Sequence, residues 1–509
     1  MGVEIESADF SDEDLRRFRE RLPGQLAALE RVLARPGFGL GARTIGAELE
    51  LFLVGEQARP RPVAPEVLAR VQSPNVSPEL GQFEIELCTA PAPLAGRPFA
   101  ALGRDLLREW RRIDQAARTV DARTVAVSIL PTLQRGDLHA GAITALPRYR
   151  ALTAGMRERR QAPFRIDIDG DEPLELTSDH AALEGANTAF QIHLRAAPGE
   201  FADVFNAALI ASGPALAAAG NSPSFLGHLL WEETRVALFK QAGDLRPPES
   251  AGADWRPPAR INFGTGWMRE GAAEQFRESV ALHAPLLPVL SPDGDEALAR
   301  AEAGAVPPLA ELRLHHGTVW YWNRAVYDPE EGKDHGGHLR LELRALPAGP
   351  TVADMLANAA FIVGLTLDLA PQVSALLPGF PFACAERNFY RAAQQGLAAD
   401  LLWPAEETAA PPRSLPAREL LPALVERARR GLERAGVDAA EIAEHLGTFA
   451  ARVGSGVTGA RWQRRALADI ERRGEAPDRA RAVARMLELY LANSASGAPV
   501  HTWPVDGER

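Results

Sequence analysis

The chain contains very little lysine. Of its 509 residues, only Lys240 and Lys333 are lysines, whereas lysine and arginine together number 56. Neither lysine lies in a Gly-x-x-x-x-Gly-Lys-Ser/Thr motif, and no Gly-x-Gly-x-x-Gly motif follows a strand-like segment. A lysine Schiff base would also have to use one of the same two side chains. The usual nucleotide-binding loops are therefore excluded, and any phosphate chemistry must rely on other groups.

Cysteine is equally scarce, and long hydrophobic runs are few. Cys88 and Cys384 are the only cysteines, which excludes a disulfide framework and a cysteine-rich zinc site and fits a reducing cytoplasm. The acidic stretch at residues 1–14 predicts no signal peptide. The longest apolar run, at residues 355–370, is shorter than the roughly 18 residues that a membrane span needs. We therefore expect a buried helix there and a cytoplasmic protein with no membrane partner.

The charge balance narrows the partners further. A net charge of −11, with 46% apolar and 24% charged residues, is typical of a globular protein and argues against nucleic acid as a partner. The arginines are scattered and form no basic stripe with interleaved aromatic residues. We expect small-molecule substrates, and the sequence leaves a homo-oligomeric assembly open.

The element pattern favours an α+β fold. The apolar/polar alternation predicts strands at Thr44–Val54 and at residues 82–89, 124–129, 188–195 and 339–346. Helices are predicted at residues 11–35, with Ser11 as the N-cap, at residues 201–219 and after Thr351. Because strands and helices do not alternate regularly, we expect antiparallel strands.

The composition also indicates the domain organisation. We expect a catalytic core over residues 1–402 and a helical C-terminal region over residues 403–509 that packs on the same fold. Residues 406–416 are a candidate linker by composition. The Pro/Gly-rich stretches at residues 246–258 and 290–308 are predicted to be surface loops.

Four of the predicted strands carry an unusual polar face. Residues two apart on a strand point to the same side, and the residues paired in this way are Glu48 with Glu50, Glu84 with Glu86, Gln191 with His193, and Arg340 with Glu342 and Arg344. A single strand of this kind is typical of the water-facing side of an antiparallel sheet. The combination of carboxylates, an imidazole, an amide and arginines on four strands, with Glu79 just upstream of one of them, favours a functional face.

If these strands form one curved sheet, their carboxylates converge. Like charges at such a distance repel strongly unless cations lie between them. Carboxylate oxygens with a single histidine suit Mg²⁺ or Mn²⁺ better than zinc. Divalent cations held by carboxylates, with arginines nearby, can support phosphoryl transfer without a P-loop.

The same segments resemble a known family, in order along nearly the whole chain. They are similar to the glutamate–cysteine ligases of the second type and their bacterial carboxylate–amine ligase relatives, in the glutamine synthetase-like superfamily. The similar segments are residues 46–50, 79–89, 188–194, 221–224, 231–235, 341–344, 388–392 and 459–464. The chain departs from many relatives at residues 127–131, where they have Gly-Thr-His-Pro, and at residues 190–193, where they have Gly-x-His-x-His.

The resemblance implies a fold and a reaction. The fold would be a glutamine synthetase-like curved antiparallel sheet that forms a metal-lined funnel and is packed with helices. The reaction would be ATP-dependent amide formation, in which a carboxylate, the γ-carboxylate of glutamate in the family, becomes an acyl phosphate. An amine such as cysteine or another amino compound then displaces the phosphate.

The resemblance also assigns roles to residues. The implied ligands of Mg²⁺ or Mn²⁺ are Glu48, Glu50, Glu79, Glu86, His193 and Glu342. The implied catalytic residues are Arg344 and Arg235, and the implied substrate- or nucleotide-binding residues are Gln191, Arg235, Arg344, Gln463 and Arg464. Arg235 could instead form a salt bridge on a helix surface, and Gln463 and Arg464 could lie on an exposed helix. We expect Glu84 to pair with an arginine at the sheet edge.

Two alternatives stay open at this point. His335-x-x-His338, with His315, His316 and an acid such as Glu330, could form the site of a zinc hydrolase. Otherwise the segment around residues 328–337 is a Gly-rich loop. The chain could also be a ligase fold that has lost catalysis and serves as a binding protein.

Overall fold

A computed structural model describes residue 5 and residues 9–248, 254–330, 336–405 and 410–504. Its main feature is an eight-stranded antiparallel sheet with the order β13–β14–β8–β1–β3–β2, in which β4 and β5 also pair with β1. The strands of this sheet are β1 (Thr44–Val54), β2 (Val76–Pro78), β3 (Glu84–Cys88), β4 (Ala92–Pro93), β5 (Arg123–Val125), β8 (Phe190–Ala196), β13 (Asn323–Asp328) and β14 (His338–Leu343).

Besides short 3₁₀ helices, the described part of the chain also contains four small pairs of strands and sixteen α-helices. The pairs are β6 (Phe164–Ile168) with β7 (Leu174–Ser178), β9 (Ser224–Phe225) with β10 (His228–Leu229), β11 (Ile261–Asn262) with β12 (Trp320–Tyr321), and β15 (Asp400–Trp403) with β16 (Arg413–Pro416). The helices are α1 (Asp12–Leu33), α2 (Ala64–Val71), α3 (Pro98–Arg118), α4 (Pro147–Arg160), α5 (Phe201–Ala219), α6 (Thr234–Ala242), α7 (Ala273–Leu282), α8 (Ala297–Glu302), α9 (Ala310–Gly317), α10 (Val352–Leu369), α11 (Val373–Leu376), α12 (Phe382–Gln395), α13 (Ala417–Arg434), α14 (Ala439–Ser455), α15 (Gly459–Arg473) and α16 (Arg479–Ser494).

Strand β1 lies at the centre of the sheet and explains its two faces. Its alternating sequence buries Leu49 and Leu51 in the main core, which they share with apolar residues of α5 and α10. The intervening Glu48 and Glu50 point to the opposite side. The sheet therefore has an apolar face against helices and a polar face that carries the acids. The antiparallel α+β fold predicted from the sequence is confirmed.

Helices α5 and α10 form the layer behind the sheet. The stretches Pro198–Ala219 and Val352–Gly379 are long and apolar enough to cross a membrane, but 89% and 67% of their most apolar windows are buried inside the protein. Every residue of α10 from Met355 to Leu369 is buried. Core helices are apolar because they are buried, and for that reason they also pass a test for membrane spans. The apolar run at residues 355–370 is therefore the buried helix that its length predicted.

Helix α13 packs on α10 with almost no space between the two backbones. A Cβ atom on Gly431 would lie 1.9 Å from the Gly364 carbonyl oxygen, and one on Gly364 would lie 2.4 Å from the Ala428 oxygen. Only glycine allows this approach. In the next layer, buried Arg452 of α14 donates to Asn358 Oδ1 of α10 at 2.6 Å. The division at residue 402 stays a prediction, but the helices beyond it are in close contact with the core.

Replacing Gly431 by alanine should destabilise the protein by about 1–3 kcal/mol, because the added methyl group must push α13 away from α10. The matched control is Gly447→Ala in α14, where a Cβ meets no atom within 4 Å. Alanine has the higher helix propensity, so that variant should be neutral or more stable by up to about 1 kcal/mol. Urea unfolding of both variants measures the difference; equal stabilities would contradict the close packing described here.

Several predicted segments differ from the structure. The predicted helix at residues 11–35 ends earlier, at Leu33, and the strands near residues 82–89, 188–195 and 339–346 are shifted or shortened by a few residues. The strand expected at residues 124–129 pairs with β1 only as far as Val125, after which the chain leaves β1 and Ile129 forms a bridge with Asn187.

Two stretches that were predicted to be irregular contain regular structure. Residues 290–308 include helix α8. Arg35, which lies just after α1, donates hydrogen bonds to the carbonyl of Ala301 in this helix and to the carbonyl of Gly304 just after it. Residues 413–416 of the expected linker form β16, while residues 406–409 lie outside the described residues. Of the predicted loop at residues 246–258, residues 249–253 also lie outside them.

Candidate active site

The acids predicted to be metal ligands meet on the polar face of the sheet. Strand register brings them together: Glu50 lies opposite Glu86, Gln191 opposite Glu48, and His193 opposite Glu342. Directly opposed side chains on antiparallel strands lie about 5 Å apart, so functional groups on three neighbouring pairs converge. All six predicted ligands fall into two groups of three.

The first group, which we call the histidine triad, consists of Glu48, His193 and Glu342. Their ligating atoms lie within 4.8 Å of one another. His193 Nε2 is 2.9 Å from Glu48 Oε1, but it is not aligned for a hydrogen bond. Burial favours the neutral acid, yet the nearby His193 holds the pKa of Glu48 well below its usual value. This triad keeps its carboxylates ionised.

The second group, which we call the acid triad, consists of Glu50, Glu79 and Glu86, again within 4.8 Å. Burial, followed by the charge of neighbouring carboxylates, raises the pKa of all three acids. The pKa is about 8 for Glu50, about 7 for Glu79 and about 8 for Glu86. Three acids that resist ionisation together are a set that a cation would stabilise, because a divalent charge removes their repulsion.

Arginines surround the histidine triad. Arg324 binds Glu342 through two hydrogen bonds, with Nε 2.6 Å from Oε2 and NH2 3.0 Å from Oε1. Arg344 NH1 lies 3.3 Å from the same carboxylate. Burial alone would raise the pKa of Glu342, but the two guanidinium groups lower it to about 2. Arg324 was not predicted, since β13 was not recognised from the sequence.

Gln191 connects the two triads. Its Oε1 accepts a hydrogen bond from Arg344 NH1 at 2.7 Å, and its Nε2 donates to Glu50 Oε1 at 2.8 Å. The second oxygen of Glu50 accepts from the backbone NH of Ala189 at 2.6 Å. These bonds fix the side chains of Gln191, Arg344 and Glu50 relative to one another.

Arg340 also points to this face and contacts His193. Its Nε donates to His193 Nδ1 at 3.1 Å, while its NH1 pairs with Asp328 at 2.7 Å. A neutral imidazole that ligates a cation through Nε2 carries its proton on Nδ1. His193 can therefore act as a ligand only when Arg340 withdraws this hydrogen bond.

Arg235 is buried rather than exposed at a helix surface. Its Nε donates to Glu233 Oε1 at 2.8 Å, its NH2 donates to the Ala345 carbonyl at 2.6 Å, and its guanidinium lies 5.3 Å from the centre of the Trp322 ring. These contacts attach the start of α6 to the chain that directly follows Arg344. Arg235 therefore supports the edge of the site.

Gln463 and Arg464 do not reach the carboxylates of the two triads. Gln463 is buried and donates to the Asn221 carbonyl at 3.1 Å, while Arg464 pairs with Asp171 and with Glu232. Both residues hold the loop between α5 and α6 against α15. The alternative of an exposed helix does not hold for Gln463, whereas the role of both residues in substrate or nucleotide binding stays a prediction.

Glu84 differs from the sequence expectation, which paired it with an arginine. Its Oε2 accepts from the backbone NH of Gly81 at 2.9 Å, its Oε1 has no hydrogen-bond partner, and neither oxygen contacts an arginine in the described chain. Burial, followed by the charge of Glu184, raises its pKa well above the usual value. A turn at Gly81 and the segment around Glu184, neither of which was predicted, place these acids beside the site.

The comparisons with known proteins agree with this geometry. The sequence model of the glutamate–cysteine ligase family 2 matches residues 44–483. The chain belongs to this family. Membership makes it an ATP-dependent carbon–nitrogen ligase, and the strands that carry both triads lie inside the matched range. No curated protein is significantly similar to it in sequence.

Solved structures of ligases share the fold. The glutamate–cysteine ligase from Francisella tularensis in complex with AMP aligns with a TM-score of 0.53 and 10% identity, over 92% of this chain and 91% of that one. A bifunctional glutathione synthetase from Pasteurella multocida aligns with a TM-score of 0.51 and 12% identity, over 94% of this chain but only 53% of that one. The glutamine synthetase-like fold is thereby confirmed.

The histidines of the zinc hypothesis have other functions in this family 2 ligase. His315 Nε2 lies 2.9 Å from the Ser279 carbonyl, and His316 contacts Ser279 Oγ and the Ala325 carbonyl through its two ring nitrogens. His338 lies beside Glu330, and His335 lies outside the described residues. None of the three-ligand groups in the described ranges contains these histidines. Membership in a ligase family favours the ligase over the zinc-hydrolase alternative.

The acid triad makes the stability of this ligase depend on pH and on cations. The folded-state pKa values near 8 lie above the usual value of 4.5, so the folded protein binds protons that the unfolded chain has lost. Stability from this source is full below about pH 4.5 and is lost as pH rises through 8. Without cations, the melting temperature should therefore fall between about pH 7 and pH 9.

Divalent cations should reverse this loss. Because a cation favours the ionised carboxylates, Mg²⁺ or Mn²⁺ should raise the melting temperature more at about pH 9 than at about pH 7. Differential scanning fluorimetry with EDTA, Mg²⁺ or Mn²⁺ at the two pH values tests this expectation. The triple variant Glu50→Gln, Glu79→Gln, Glu86→Gln is the control, and it should lose both effects. A cation effect that is independent of pH, or that persists in this variant, would contradict the assignment.

Proposed function

We propose that this ligase converts a carboxylate, with the γ-carboxylate of glutamate as the first candidate, into an acyl phosphate at the expense of ATP and joins it to an amine such as cysteine. The observation that carries the proposal is the pair of triads on one sheet face, linked by Gln191 to Arg344. This arrangement supplies cation ligands and a guanidinium within one site and needs no lysine.

The residues present fit two or more hard divalent cations. The acid triad offers three carboxylates that destabilise one another without a cation, and the histidine triad offers two more carboxylates and an imidazole. Mg²⁺ or Mn²⁺ held there would supply positive charge against the charge that develops on the transferred phosphoryl group. We propose Glu48, Glu50, Glu79, Glu86, His193 and Glu342 as the ligands.

Arg344 is the proposed clamp for the transferred group. Its side chain is 16% exposed at the polar face, and its NH1 is already oriented by Gln191, so the rest of its planar fork can hold a phosphate or a carboxylate. Arg235 does not contact substrate in this proposal. It donates to the carbonyls of Arg344 and Ala345 and thereby positions the backbone at Arg344. In this proposal Arg344 contacts substrate, and Arg235, Gln463 and Arg464 are positioning residues.

We also propose that this ligase is cytoplasmic. Both cysteines are free, and disulfides are rare in that compartment. The buried segment at residues 127–131 has no histidine where many relatives have one, and Thr188 Oγ1 donates to the Val127 carbonyl at 2.6 Å. This segment lies beside β8, so we propose that it alters the amine-binding side of the site.

Hydroxylamine provides the decisive test. The purified protein is incubated with ATP, Mg²⁺, a panel of carboxylates and hydroxylamine, which intercepts an acyl phosphate whatever the natural amine is. We expect ADP and an acyl hydroxamate in equal amounts, with glutamate as the best carboxylate. If neither product forms with any amino acid, the ligase proposal fails and the protein is a catalytically silent binding protein of this fold.

A further inference from the structure

One of the two cysteines lies on the polar face of the sheet. Cys88 is the last residue of β3, directly opposite Glu48 in the register with β1 and two residues after Glu86. Residues with this spacing point to the same side. The Cys88 sulfur and one carboxylate oxygen each from Glu48 and Glu86 lie within 4.8 Å of one another. A soft ligand is thus built into a face that otherwise offers oxygen and one imidazole.

The position of this group relative to the triads is specific. Glu48 also belongs to the histidine triad, and Glu86 also belongs to the acid triad. A cation held by Cys88 with these two acids would therefore take one carboxylate from each triad. Such a cation would compete with the cations of both triads for Glu48 and Glu86.

The ligand chemistry distinguishes two kinds of cation. Carboxylate oxygens are the ligands that Mg²⁺ prefers, whereas a thiolate selects zinc and other soft cations. One sulfur and two carboxylates make three protein ligands, which leaves the fourth position of a tetrahedral zinc ion to water or a phosphate oxygen. Burial, with the nearby Glu86 and Glu48, raises the pKa of the Cys88 thiol, so this sulfur is a poor nucleophile when no cation is bound.

We propose that Cys88, Glu48 and Glu86 form an inhibitory site for a thiophilic divalent cation, with Zn²⁺ as the physiological candidate. Binding breaks the S–H bond, releases the proton to solvent and forms a sulfur–metal bond, with no change of oxidation state. The ligase is then inhibited because this cation competes with Mg²⁺ for Glu48 and Glu86. The binding half of the proposal is independent of the reaction, and the inhibitory half rests on the proposed function.

Cobalt provides a direct readout of the sulfur ligand. The full-length protein is titrated with Co²⁺ alone, and thiolate coordination is followed by the sulfur-to-cobalt charge-transfer absorption in the near ultraviolet. We expect this band in the unmodified protein and its loss when Zn²⁺ displaces the cobalt. Mg²⁺ in excess should weaken Co²⁺ binding, since both use Glu48 and Glu86.

The chain offers a matched control in its second cysteine. Cys384 lies on α12 and belongs to no three-ligand group among the described residues. Cys384→Ser should keep the band, and Cys88→Ser and Cys88→Ala should lose it, with melting curves to verify folding. Glu86→Gln keeps the thiol and should weaken Co²⁺ binding about tenfold or more. A band absent from the unmodified protein, or kept in a folded Cys88 variant, overturns the proposal.

Inhibition is tested separately in the hydroxamate assay. With Mg²⁺ and ATP fixed, Zn²⁺ should inhibit the unmodified protein and Cys384→Ser, a chelator should restore activity, and more Mg²⁺ should raise the Zn²⁺ concentration needed. Inhibition of Cys88→Ala should require a Zn²⁺ concentration that is higher by about tenfold or more. Equal Zn²⁺ sensitivity in Cys88→Ala overturns the inhibitory role. If no hydroxamate forms at all, the proposed function fails, while the cobalt spectrum still decides whether the site exists.

Discussion

Replacing Glu48 by glutamine is expected to abolish ligase turnover while the protein stays folded. Glutamine has the same shape but no charge, so it removes a carboxylate from the histidine triad without creating a cavity. Loss of one group that stabilises developing charge costs about a hundred- to a thousandfold in rate, and we expect at least that loss when a cation ligand is removed. ADP release measures turnover, and a circular dichroism melt measures folding.

The control for this variant is Glu66→Gln on helix α2, where the side chain is exposed. It should be indistinguishable from the unmodified protein. Glu342→Gln should lose activity as Glu48→Gln does, although its melting temperature should also fall because Arg324 and Arg344 lose their buried partner. Near-normal turnover in both Glu48→Gln and Glu342→Gln would refute the site.

Replacing Arg344 by methionine should lower kcat by about a thousandfold or more, the range found for arginines that stabilise transferred phosphoryl groups. Methionine keeps much of the side-chain volume but cannot donate to Gln191 or to a phosphate. Lysine at the same position keeps the charge and loses the planar fork, so Arg344→Lys should recover only a small part of kcat. Steady-state kinetics for ATP and for glutamate separate kcat from KM.

The arginine control is Arg165→Met on strand β6, where the side chain is exposed. It should change neither constant. If Arg344→Met raises KM but leaves kcat unchanged, the residue binds substrate and transition state equally, and the proposed clamp on the transferred group is wrong. If Arg344→Lys is fully active, the charge alone is sufficient and the fork geometry has no role.

Alternation was sufficient to predict the central strand and the core helices. The boundaries of β1 and α5 agree with the predicted ones. The apolar/polar alternation of β1 and the long apolar run of α5 are both local signals. Helix α8 was missed, since it is only six residues long and lies between Gly294 and Gly304. Short elements of this kind form because neighbours bury them, which a local pattern does not contain.

The grouping of the acids into triads could not be predicted in the same way. Which carboxylate lies beside which depends on the register of β1 with β3 and of β8 with β14, and one residue of slip would turn a side chain to the other face. Arg324 shows the same limitation. It reaches Glu342 only because β13, a strand that was not recognised from the sequence, pairs with β14.

Glu84 was placed on the correct strand but given the wrong partner. Its spacing from Glu86 is a local property, whereas its surroundings come from the turn at Gly81 and from the segment around Glu184, more than ninety residues further along the chain. Long-range packing of this kind decides whether a carboxylate pairs with an arginine or stays protonated.

Helix α10 contacts β8 on one side and presses Gly364 against Gly431 of α13 on the other. A chain cut at residue 402 would leave this second side of α10 in water, together with its row of buried aliphatic residues, and such a fragment should aggregate rather than serve as a minimal enzyme. Expressed together in one cell, however, the two pieces present matching surfaces. They should associate and restore ligase activity, which makes this helix pair a natural point at which to split the enzyme into a two-part reporter.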